Sequence, residues 1–304
     1  MTNIKTINFL GLRKVFFGLA IVLMLASIAS LVVKQLNLGL DFTGGALVEL
    51  NYSQPADLEE IRGVLRENGW NDAVVQNFGA STDVLIRLPS ENPDLGAEIA
   101  QLVKRQDGND VSVKRVEFIG PQVGEGLRDK GGLGMLLALG GILLYVSLRF
   151  QMKFAVSAIV ALFHDVIFTL GIFSLFGLSF DLTVLAALLA VIGYSLNDTI
   201  VVFDRVRENM RLMRQTELTD IINISTTQTL GRTLATSFST ILVLLALFWF
   251  GGENIHGFAT ALLIGVGVGT YSSIYIAGGL LVTMKLTRDD LIPPQIEEAI
   301  DDRP

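Results

Sequence analysis

Six stretches of this chain are long and apolar enough to cross a membrane as helices, and they limit the fold more than any other feature. They fall at about 15–33, 132–148, 154–177, 182–203, 234–250 and 258–282. Each is close to the ~20 apolar residues that a helix needs to span a bilayer core. Hydrocarbon offers no partners for backbone N–H and C=O groups, so the spans must satisfy their own as helices. The charged fraction agrees: 17% of residues are Asp, Glu, Lys or Arg, against about 25% in a soluble domain. The first stretch follows Arg13 and Lys14 and contains "ASIAS" (26–30), features that a cleaved secretory leader shares. Its apolar run passes that site and is longer than the roughly 7–15 residues of a leader core, so it reads as an uncleaved span.

Lys and Arg in the short links set the orientation. Lys5, Arg13 and Lys14 precede span one, and Arg149 and Lys153 lie between spans two and three. Arg205, Arg207, Arg211 and Arg214 lie between spans four and five, and Lys285 and Arg288 follow span six. The links at 178–181 and 251–257 have neither residue type. Both termini are therefore expected in the cytoplasm, with the long loop outside. The expected units are 1–33 (N-terminus and first span), 34–131 (outer domain), 132–286 (five-helix bundle) and 287–304 (tail). There is no cysteine, hence no disulfide and no thiolate metal site. The net charge of −7 ends in "EEAIDD" (297–302), and no basic patch suggests nucleic acid.

The loop is long enough to fold. "ALVEL" (46–50) alternates as a strand does, and "PADLEEIRGVLRENG" (55–69) places Leu58, Ile61 and Leu65 at helical spacing. Two strands at 72–78 and 83–88, a helix at 92–106 and a strand at 111–120 complete βαββαβ, a ferredoxin-like α+β unit. It has no histidine and its acids are scattered, so binding or mechanics fits it better than catalysis. "NLGLDFTGG" (37–45) joins it to span one. Gly44 and Gly45 permit a sharp turn, and Asp41, Phe42, Thr43, Gly44 and Gly45 are read as a hinge, with a plain turn as the alternative.

Ionisable residues inside spans are costly and normally face a partner or a water path. Asp198 lies in span four, with Asn197 and Thr199 adjacent and Ser195 one turn earlier. Asp165 lies in span three beside His164, with Thr169 one turn on. Gln228, Arg232, Thr236 and Ser239 form a polar stripe on span five. Bland readings exist for each. Arg232 can snorkel to the interface, Asp198 can hold two helices together, and Asp165 with His164 can be a satisfied buried pair. The sharper reading is a proton path made of Asp198, Arg232, Asn197, Asp165, Ser195 and Thr199. In it, an Arg beside a carboxylate keeps the charge, and withdrawing the Arg lets a proton on. Gly265, Gly269 and Ser272 form a small-residue stripe for close helix packing in span six.

Four motifs together, "GLDFTGG", "FHDVIFTLGI", "GYSLNDTIVVFDRVREN" and "TLGRTLATS", closely resemble the SecF family of the bacterial Sec translocase. That family belongs with SecD in the resistance-nodulation-division superfamily. The resemblance implies a polytopic inner-membrane protein with six transmembrane helices. It also implies SecD as partner, the SecYEG channel and YajC as associates, unfolded preproteins as clients, and surrounding lipid. It implies no cofactor, H⁺ as coupling ion with Na⁺ as the alternative, and a functional Asp–Arg pair at Asp198 and Arg232. A proton-coupled small-solute antiporter of the same superfamily is the competing reading. An intramembrane enzyme is disfavoured, because no protease-like Ser/Lys or paired-Asp spacing and no "HExxH" is present.

Overall fold

The computed structural model describes residues 6–90, 92, 94–106 and 111–291; Lys5 and the acidic stretch 297–302 lie outside them. Among the described residues, six helices are long and apolar enough to cross a membrane. They contain α1 (Arg13–Val33), α5 (Pro121–Arg149), α6 (Met152–Phe176), α7 (Leu182–Leu212) and α8 (Leu218–Phe250). The sixth joins α9 (Glu253–Ser272), a π-helical turn over Ser273–Ala277 and α10 (Gly278–Thr283). Spans three, four and six are about half buried and form the centre of the bundle, whereas spans one, two and five leave most of their surface open.

Helix ends follow local chemistry. α5 starts eleven residues before the apolar stretch expected from 132, because Pro121 occupies its first turn, where its missing N–H is no loss. α6 stops at Gly177, whose left-handed backbone (φ 64°) lets its amide reach back to Phe173 and Ser174. α7 starts at Asp181, whose carboxylate accepts from the Val184 amide.

The sheet domain follows span one. β2 (Gly45–Asn51), α3 (Leu58–Glu67), β3 (Val74–Phe78), β4 (Ala80–Leu88), α4 (Leu95–Gln106) and β5 (Ser112–Ile119) make an antiparallel sheet ordered β3-β4-β2-β5. Ala46 at the start of β2 faces Leu88 on one side and Phe118 on the other. Ile61 and Leu65 of α3 and Ile99 and Val103 of α4 pack on Val48, Leu50, Val84 and Ile86 of the sheet. Asp57 caps α3 by accepting from the Glu59 and Glu60 amides. On the sheet, burial works to raise the Asp83 pKa, but hydrogen bonds from Asn51 and Lys114 and the Lys114 charge outweigh it and hold the carboxyl below its usual range.

The junction between domain and bundle has parts that periodicity does not reveal. β1 (Asn37–Leu38) pairs in parallel with β6 (Ser179–Phe180), a two-residue strand in the link between spans three and four. After β1 the motif turns through a single helical turn, α2 (Leu40–Thr43), and the Phe42 ring stacks on Phe180 at 5.9 Å.

Gly44 (φ 65°) and Gly45 (φ 110°) then enter β2. A Cβ on Gly45 would lie 2.2 Å from the Leu88 carbonyl oxygen, and one on Gly44 would lie 2.7 Å from the Pro121 Cα. Both obstacles are backbone. In this arrangement the Asp41–Gly45 stretch expected as a hinge is closely packed, and its glycines allow the close approach. Gly45→Ala should cost at least about 2 kcal/mol through backbone strain and overlap, seen as a lower melting temperature of the full chain in detergent. An Ala variant that melts like the parent yet slows export would reinstate the swivel.

Candidate functional site

The buried face of α7 repeats at helical spacing through Val191, Ser195, Asp198 and Val202. Asp198 is 2% exposed. Its carboxylate makes no hydrogen bond or ion pair among the described residues, and its Oδ2 is sealed from solvent without a partner. Beside it is a cavity of about 10 Å³ lined by Val202 of α7, Thr226, Thr229, Leu230 and Thr233 of α8, and Ser273 and Ile274 of the π turn. That is about the room that one water needs. Thr229 has its hydroxyl occupied by backbone carbonyls of its own helix. Ser273 donates to the Gly269 carbonyl at 2.8 Å and accepts from Thr199 at 2.8 Å. Two of the four hydroxyl residues beside the carboxylate, Thr229 and Ser273, are thus engaged elsewhere.

Arg232 lies on the exposed side of α8 with Gln228, Thr236 and Ser239. Its guanidinium makes no hydrogen bond or salt bridge among the described residues, although the neighbouring Thr233 lines the cavity beside Asp198. The Asp198–Arg232 pair that the resemblance implies is not in direct contact in this arrangement. Adjacent residues on a helix point about 100° apart. That places Asn197 on the exposed surface while Asp198 turns inward.

Asp165 forms a separate centre about which three helices converge. It is fully buried. Its Oδ2 accepts from Ser195 of α7 at 2.5 Å and from Ser272 of α9 at 2.7 Å, and its Oδ1 meets His164 Nδ1 at 3.0 Å. Ser195 and Thr199, expected to flank Asp198, instead serve Asp165 and Ser273. Thr169, one turn on, donates to the Asp165 backbone carbonyl at 2.8 Å and not to its carboxylate. Gly265 and Gly269 lie against Val191 and Ser195, where added Cβ atoms would come within 2.2 and 3.0 Å of α7 side chains. This close seating of α9 on α7 is what carries Ser272 to Asp165.

The chain's relatives can be set against this geometry. Residues 98–287 match the family described as protein export membrane protein SecD/SecF, C-terminal, and residues 29–56 match the SecD/SecF GG motif. The protein translocase subunit SecF of Pseudomonas aeruginosa is 59% identical over 99% of this chain and 100% of its own length. The chain belongs to the SecD/SecF family.

SecDF of Thermus thermophilus, described as a translocon-associated membrane protein, superposes with a TM-score of 0.85 at 37% identity over 94% of this chain. The chain spans only 40% of that SecDF chain. A second SecDF structure, in a super-membrane-facing form, superposes with a TM-score of 0.69.

In this SecD/SecF-family chain, the carboxylates were legible as polar residues in apolar spans. What sequence reasoning missed is their surroundings. Ser273, Thr226 and Thr233 carried no signal, since a hydroxyl in a membrane helix usually bonds its own backbone. The π turn was also hidden, although such turns often occur at functional places within helices.

Proposed function

We propose that this chain is a SecF-type accessory subunit of the Sec protein-export machinery, working in the bacterial inner membrane with both termini cytoplasmic and the sheet domain periplasmic. It pairs with SecD, associates with SecYEG and YajC, and uses the proton gradient to help unfolded preproteins complete their crossing. It needs no cofactor; H⁺ is the coupling ion, with Na⁺ as the alternative to be tested. Family membership and the close match to SecF and SecDF relatives support the export role.

The observation that carries the coupling is the buried, unpartnered Asp198 carboxylate beside a one-water cavity, with Arg232 near but not bonded. A carboxyl so placed takes or gives up a proton according to where the arginine sits. The partner reading rests on the outward-facing Asn197, Gln228, Arg232, Thr236 and Ser239. Gln228, Thr236 and Ser239 already bond within the chain, but lipid cannot satisfy Asn197 or the Arg232 guanidinium, so protein or water must face these two.

The test is export into inverted vesicles holding the complex with its partner, under an imposed proton or sodium gradient. Stimulation by the proton gradient alone is expected. Stimulation by sodium alone assigns the other ion. If instead the purified chain self-associates, binds no export component and moves a small solute, the antiporter reading replaces this one.

A further inference from the structure

The N-terminus of α7 is held by two carboxylates from distant parts of the chain. A helix start leaves its first amides without partners inside the helix. Asp181 takes the Val184 amide at 2.9 Å. The Leu182 amide, the first of the helix, is taken by Asp41 Oδ2 at 3.0 Å, from a residue 141 positions earlier. Asp41 stands in the single turn between β1 and the first strand of the sheet domain. Its carboxylate suits the positive end of the helix dipole as well as the free amide.

The surroundings make this bond part of a seat. Gly39 donates to the Phe180 carbonyl at 2.7 Å, and a Cβ at Gly39 would meet Asp181 at 2.9 Å. Arg87 of β4, 8% exposed, donates to the Leu38 carbonyl and to Asn37 Oδ1, both at 2.7 Å. Burial holds Arg87 below the usual arginine pKa, and the Asp181 charge opposes that shift. Sheet, motif and helix start thus form one continuous set of polar contacts. Asp198 sits sixteen residues down the same helix, about 24 Å at 1.5 Å per residue.

We propose that Asp41 is a positioning residue: by holding the Leu182 amide it fixes the sheet domain to the start of span four, so that tilting of the domain and movement of Asp198 are one motion. This rests on the coupling role of Asp198 above. It assigns the motif's aspartate a task that a turn alone does not require.

The bond can be cut from either side. Asp41→Ala removes the acceptor. Leu182→Pro removes the donor without stopping the helix, because proline is favoured at the first helical position. The residue before it, Asp181, already has the extended backbone that precedes proline (φ −115°, ψ −175°). The full chain would be assembled with its partner in vesicles. Spin labels at exposed Glu60 and Arg211 would report the distance between domain and helix end.

Each single variant is expected to assemble, to broaden the label distance distribution, and to lower gradient-stimulated export about fivefold. The double variant should lose no more than either single one, because both remove the same bond. Asp41→Asn, which keeps an acceptor oxygen, should restore most of the stimulation. Losses that multiply in the double variant, or unchanged distances and export in either single variant, overturn the proposal. If Asp41→Ala does not assemble, the Leu182→Pro result decides alone. Asp198→Asn separates the two readings: full stimulation in it removes the coupling role of Asp198, while the label distances still report the linkage.

Discussion

Asp198→Asn should abolish the stimulation of export by the proton gradient while leaving assembly and gradient-independent export at parental levels. Asn has nearly the same shape and cannot titrate. It also meets no packing obstacle, since the carboxylate makes no hydrogen bond among the described residues and borders a cavity of about 10 Å³. The amide can donate toward the neighbouring hydroxyls, and a neutral side chain is cheaper to hold in a membrane span than an ionised one. Loss of function with retained or improved stability is therefore the signature expected here, and a merely structural carboxylate would show the reverse. The measurement is export into inverted vesicles with and without the gradient, normalised to the assembled complex. Full stimulation in this variant would place the proton elsewhere, within the partner's spans.

Arg232→Ala gives a useful contrast. Removing one member of a bonded buried pair costs roughly 3–5 kcal/mol because a lone charge remains. Arg232 is exposed and its guanidinium makes no hydrogen bond or salt bridge among the described residues, so no such penalty applies in this arrangement.

How much of this was readable from the chain differs between its levels. The six spans and the βαββαβ order depend on local runs of hydrophobicity, and those are written residue by residue. Asp198 was legible because a carboxylate in "VIGYSLNDTIVVF" (191–203) breaks its surroundings. Its orientation was not, since Asn197 and Asp198 are equally polar and only the packing of α7 decides which turns inward. The parallel pairing of Asn37–Leu38 with Ser179–Phe180 joins two residues to two others across 142 positions, too short for any alternation. The bond from Asp41 to the Leu182 amide was hidden for the same reason. "DFTGG" announced a turn through its glycines, but what the turn touches is a tertiary fact. Ser195 shows the limit most sharply. It is three residues from Asp198 in the same span, and it spends its hydroxyl on Asp165 of another helix.

That choice by Ser195 yields the second large effect, which should fall on stability. Asp165→Ala should sharply reduce the amount of assembled protein, and Asp165→Asn should reduce it less. In the parent, one carboxylate accepts from Ser195, Ser272 and His164, tying α6, α7 and α9 together in a fully buried place. With His164 donating from Nδ1, its buried Nε2 is left as an unpartnered acceptor among the described residues. Alanine strands the Ser195 and His164 donors at about 1–3 kcal/mol each, while Ser272 keeps the Gly269 carbonyl at 3.2 Å. Asparagine has one oxygen to offer. If that oxygen serves the two serines, its amide must donate to His164 Nδ1. The histidine proton then moves to Nε2, where no acceptor waits among the described residues, so one buried donor is still unsatisfied. Thermal melting in detergent and yield of the complex measure this order: parent, then Asn, then Ala. Gradient stimulation per assembled complex should stay near parental in the Asn variant. Normal melting together with lost stimulation would instead put Asp165 on the proton path, in series with Asp198 through Ser195 and the α7 helix that carries them both.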